Sequence, residues 1–122
     1  MRVGSSTLAV SLLVALAACD DPGASLEITD ARASRAPDKR VVVEVDLLAQ
    51  ERLGGSIGTY CTRVTFAGQT SFAEQCHADL HDGDTKTLRF TSEGDIAERA
   101  VITINARLAR GEVGRDLEAP RH

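Results

Sequence analysis

Tryptophan is absent from this chain of 122 residues, and only four aromatic side chains occur: Tyr60, Phe66, Phe72 and Phe90. That is too little to build a stacking platform for sugars or bases. Lysine is nearly missing too, with Lys39 and Lys86 beside twelve arginines. Asp and Glu outnumber Lys and Arg by 18 to 14, a formal charge of −4. A protein that grips a phosphate backbone needs clustered cations in excess, so nucleic acid is not an expected partner. The length rules out a Rossmann pair, an α/β-hydrolase and a TIM barrel, and leaves one domain. No phosphate-cradling Gly-rich loop and no repeat of 20 to 50 residues is visible.

What is present begins at the N-terminus. Arg2 is the only charge before Asp20, and Thr7 to Ala18 (TLAVSLLVALAA) is apolar. The run is short for a bilayer span and ends abruptly at Asp20 and Asp21, as a secretory signal does. Its end carries more. Leu16-Ala17-Ala18-Cys19 resembles the lipobox of bacterial lipoproteins: an aliphatic residue, two small residues, then the cysteine that becomes the mature N-terminus. The resemblance covers these four positions and the apolar run before them. It implies a signal peptide over residues 1–18, cleavage before Cys19 and a diacylglyceryl thioether on Cys19. Two or three acyl chains there would hold the protein on a membrane. Asp20 resembles the inner-membrane retention signal of enteric-type sorting, which favours a periplasmic domain on the inner membrane. Residues 19–25 (CDDPGAS) read as a lipidated cysteine and polar tether, and 26–122 as the domain, with Gly111 to His122 a short edge strand around Leu117 or a frayed tail.

The domain has period two. Val41, Val43, Val45, Leu47 and Ala49 share one strand face, with Val42, Glu44, Asp46 and Leu48 on the other. Ile102, Ile104, Ala106 and Leu108 repeat the pattern, as do Leu88 and Phe90, and more weakly Leu26 and Ile28. Turn signals separate the runs at Ala36-Pro37-Asp38, Gly54-Gly55, Asp82-Gly83-Asp84 and Gly94-Asp95. The expected fold is all-β, a small antiparallel β-sandwich that resembles immunoglobulin-like and fibronectin-like domains in size and strand count. The Cys…Trp…Cys spacing of true immunoglobulin domains is missing.

With Cys19 assigned to lipid, Cys61 and Cys76 remain as an even pair in a secreted context, the setting for a disulfide; free thiols or metal ligands are the alternative. A two-residue II′ turn at Gly68-Gln69 would pair residues whose numbers sum to 137, bringing Cys61 opposite Cys76 and Arg63 opposite Glu74. Phe66 and Phe72 then fall on opposite faces. The two runs could instead lie in opposite sheets joined by an inter-sheet disulfide.

Four patterns invite a chemical reading. Gly54-Gly55-Ser56-Ile57-Gly58 matches the G-x-S-x-G nucleophile elbow literally but lacks its strand–turn–helix setting. His77, Asp79 and His81 alternate, and on an extended strand they point one way, a donor set suited to Zn²⁺ or Cu²⁺ only if the strand bends. Glu44 and Asp46, with Arg40 nearby, are paired carboxylates on a solvated face. Arg107, Arg110, Arg115 and Arg121 make a local basic run that Glu112, Asp116 and Glu118 largely cancel. None forms a nucleophile–base set, and no cofactor is expected. The sequence therefore points to a non-enzymatic binding or assembly module of the cell envelope, with a membrane and an envelope protein as partners. A metal- or small-ligand-binding lipoprotein using His77, Asp79 and His81 is the alternative.

Overall fold

A computed structural model describes residues 23–122. These form seven strands: β1 (Ala24–Arg35), β2 (Arg40–Glu51), β3 (Tyr60–Phe66), β4 (Phe72–His77), β5 (Thr85–Asp95), β6 (Val101–Leu108) and β7 (Gly111–Glu118). They build two antiparallel sheets, β1-β2-β5 and β4-β3-β6-β7. The expected all-β sandwich is the fold found. In a constant-type immunoglobulin domain the fourth strand lies with the first, second and fifth. Here it pairs with the third.

Strand alternation decides what is buried. Val41, Val43, Val45, Leu47 and Ala49 of β2 are all fully buried, and they face Tyr60, Val64, Phe66, Ile102, Ile104 and Ala106 across the core. Loop residues close the two ends: Ile57 and Leu80 at one, Ile96 and Ala119 at the other. The weak alternation of β1 has a local cause. Its pairing with β2 shifts between Ile28 and Asp30, a β-bulge. One extra residue swaps the parity, so Leu26 and Ile28 before it, and Ala31 and Ala33 after it, all pack against the core. A second irregularity, between Arg40 and Val42, is filled by the buried Ser92. Its hydroxyl accepts from the Val41 N–H at 3.0 Å and donates to the Gly94 carbonyl at 2.6 Å.

The β3–β4 hairpin keeps the expected register, with Cys61 opposite Cys76 and Arg63 opposite Glu74. The expected turn is corrected. Gln69 N–H donates to Phe66 O at 3.1 Å, and Gly68 has φ +88°. Gly68 is therefore the second central residue of a Phe66–Gln69 turn, the position at which a type II turn requires positive φ. The connection runs five residues, Ala67 to Ser71, instead of two. The C-terminal segment is not frayed: Gly111–Glu118 pairs with β6 along its length, and Ala119 is buried. β1 starts at Ala24, so the strand takes the last two residues of the segment read as tether.

One core position is mismatched. Thr62 is fully buried on the inner face of β3, and its Oγ1 has no hydrogen-bond partner. An unsatisfied buried hydroxyl is costly, whereas valine fills the same space. Thr62→Val is expected to stabilise the domain by about 1 kcal/mol, a few degrees in a thermal melt. A lower melting temperature would show that the hydroxyl is satisfied.

Candidate functional site

The lipobox Leu16-Ala17-Ala18-Cys19, the signal segment and Asp20 lie outside the described residues. Among the described residues no helix is long and apolar enough to cross a membrane.

The His77, Asp79 and His81 set does not converge. β4 ends at His77, so the extended geometry that would align the three stops at the first of them. The His77 ring packs against Tyr60 at a centroid distance of 5.8 Å, and its Nε2 lies 3.3 Å from Gln75 Oε1. Asp79 turns to other partners: it accepts from Tyr60 Oη at 2.9 Å and from Lys86 Nζ. The Lys86 ammonium and the Tyr60 hydroxyl hold its carboxyl below the usual range, while burial, with Asp79 adding to it, pushes the Tyr60 hydroxyl well above the usual phenol value. His81 is exposed and its Nδ1 sits 3.9 Å from Asp84. Among the described residues no three His, Cys, Asp or Glu side chains gather as metal ligands.

Ser56 lies in an irregular loop that leads into β3, with no helix after it. Its backbone forms an isolated bridge with His81, and its hydroxyl accepts from the Gly58 N–H at 3.0 Å. Among the described residues no hydrogen bond joins the Ser56 hydroxyl to a base, and the residue is exposed, so the pattern has the setting of a loop and not of a nucleophile elbow.

Glu44 and Asp46 do share the outer face of β2, but Arg32 neutralises them, not Arg40. Arg32 Nε lies 3.2 Å from Glu44, and Nη1 lies 2.9 Å from Asp46 and 3.1 Å from Asp30. Arg40 is nearest to Asp38, at 3.5 Å. Hydrogen bonds from Arg32 and then Thr87 hold the Asp46 carboxyl below its usual 3.8. A carboxyl tuned downward is a poor general acid at neutral pH. A depressed native value adds stability above the ordinary value, which is lost as pH falls through the native one. Stability is therefore expected to fall as the pH drops below 3.8, and Asp46→Asn should flatten part of that fall in denaturant titrations across the acid range. An unchanged slope would show that Asp46 contributes nothing.

The surface that remains is the outer face of the four-stranded sheet. Cys61 and Cys76 form a disulfide there, with Cα atoms 4.1 Å apart, between neighbouring strands of one sheet. The inter-sheet alternative is excluded. The exposed face of β3 and β4 also holds Phe72, half exposed, with the Arg63 guanidinium 3.8 Å over its ring. Arg63 in turn lies 3.4 Å from Glu74. Arg63 thus contacts both the Phe72 ring and the Glu74 carboxylate, which gathers the three side chains into one cluster. Beside them Cys61, Arg63, Glu74, Asn105, Arg107 and Glu112 line a depression of about 260 Å³. Asn105 donates to Glu112 at 3.0 Å across its far wall. The register that places Arg63 opposite Glu74 also places Phe72 opposite Thr65 on this face, so its exposure was readable from the sequence.

The chain matches no known family model, and no curated protein matches it.

Proposed function

We propose that the protein is a bacterial lipoprotein whose sandwich is a non-enzymatic binding or assembly module held at the periplasmic surface of a membrane. Leu16-Ala17-Ala18-Cys19 supports the anchor. The observation that carries the binding reading is Phe72, exposed on an edge strand and in contact with Arg63. Aromatic side chains are what protein interfaces concentrate at their centres. The depression around Arg107 extends the same face with polar groups suited to an interface rim. β4 is also a sheet edge, short and braced to β3 by the disulfide, so the face presents a rigid border. The metal-binding alternative has no observation in its favour, because Asp79 is engaged by Tyr60 and Lys86.

The test is a photo-crosslinking residue in the membrane-bound protein, at Phe72 in one variant and at Glu27, on the outer face of the other sheet, in a second. The expected result is one dominant envelope-protein adduct from position 72 that Arg63→Glu abolishes, and none from position 27. Equal labelling from both positions, or none from 72, would refute the reading.

A further inference from the structure

The end of the sandwich at which the chain enters carries the most exposed large apolar side chain among the described residues. Leu53 is 87% exposed. It sits at the tip of a turn closed by the Gly54 N–H donating to Glu51 O at 2.9 Å. That turn is fastened to the entry point itself: the Arg52 N–H donates to Gly23 O at 3.2 Å. The two residues are so close that a Cβ on Gly23 would lie 2.5 Å from Arg52 Cβ.

Covalent reach then sets which end lies nearest the anchor. Three residues lie between Cys19 and Gly23, and the four steps of a fully extended chain cover about 14 Å. The sandwich is much longer: β2 alone, with 12 residues, spans roughly 35–40 Å from Glu51 to Arg40. The Ala36–Lys39 turn therefore stands far from the anchor, and the Glu51–Gly54 turn stands within its reach. We propose, resting on the lipoprotein reading above, that the Leu53 tip is the membrane-contact point of the domain, with Leu53 set among lipid headgroups and the opposite end directed away. Charge at this end is mixed. Arg52 and Arg110 lie in the same group of loops as Asp82 and Asp84, so the contact is apolar in character and does not require anionic lipid.

The test uses the full lipidated chain carrying Leu53→Cys. On the lipoprotein reading its thiol is the only free one, because Cys19 would carry the lipid and Cys61 is bonded to Cys76. A bimane on that thiol is read in vesicles of phosphatidylethanolamine and phosphatidylglycerol containing a nitroxide-headgroup lipid, and again in phosphatidylcholine. Asp38→Cys, in the far turn, is the comparison. Loss of most of the emission at position 53, in both lipid mixtures, and none at position 38 is expected. Equal emission at both positions in protein whose intact mass shows the diacylglyceryl group would overturn the orientation and leave the lipoprotein reading standing. Shielding of position 53 from soluble iodide without nitroxide quenching would mean that protein covers the tip, and would overturn it as well. A mass without lipid on Cys19 would remove the premise of both.

Discussion

Arg35→Ala is expected to lower the melting temperature by about 12–24 °C, corresponding to about 3 kcal/mol in a domain of this size. The Arg35 side chain is only 8% exposed, and its guanidinium ties three chain segments together. Nη1 donates to Lys39 O at 3.0 Å and to Asp95 Oδ1 at 2.6 Å. Nη2 donates to Ile96 O at 2.8 Å and Pro120 O at 2.7 Å, and Nε to Arg121 O at 3.3 Å. All five guanidinium donors are used, so alanine leaves several carbonyls and a carboxylate without their partner. Lysine cannot replace a planar fork, and Arg35→Lys should recover little of the loss. The tail should loosen first. His122 would still be held by Asp95 and Glu98, at 2.8 and 3.5 Å, but its support through Pro120 and Arg121 would be gone. Hydrogen exchange should therefore quicken at Arg99 and Ala119, whose N–H groups pair the tail with the β5–β6 loop. A loss of only two or three degrees would show that solvent replaces the clamp.

The second large effect is expected from the disulfide. Cys61 and Cys76 are 15 residues apart, and the chain-entropy model assigns such a loop about 3 kcal/mol. The bond lies on an outer face, so the double variant Cys61→Ala/Cys76→Ala opens no cavity. The loss comes from the freedom returned to the unfolded chain. It should appear in the folded state as fraying of β4, whose only ladder partner among the described residues is β3. Denaturant unfolding should give a lower midpoint, and exchange should rise in Phe72–His77 before the other strands. A midpoint unchanged within error would mean that the sheet ladder alone fixes the hairpin.

The legible parts of this chain were those in which one period acts alone. β6 and most of β2 and β5 alternate, and their buried faces follow directly, except at the irregularity between Arg40 and Val42, where Val42 is buried as well. The hairpin register was legible because a cysteine pair and an opposite-charge pair agreed on one sum. The turn that joins the strands was not, because Gly68 suits either central position of a turn and only the hydrogen bond from Gln69 N–H to Phe66 O decides. Arg32 was missed because the bulge between Ile28 and Asp30 resets β1 before Arg32 meets Glu44. Arg35 was missed for a different reason. Four of its five partners are main-chain carbonyls, up to 86 residues away, and a carbonyl leaves no mark in sequence. The His77, Asp79 and His81 pattern misled for the converse reason, since alternation means a shared face only while the strand continues.

The most direct measurement is the intact mass of the full-length gene product recovered from membranes and alkylated without reduction. The account predicts a chain that begins at Cys19, carries a diacylglyceryl group and takes up no alkylating reagent. A chain without lipid, beginning elsewhere than Cys19, would contradict the anchor, and two alkylated thiols would contradict the bond between Cys61 and Cys76.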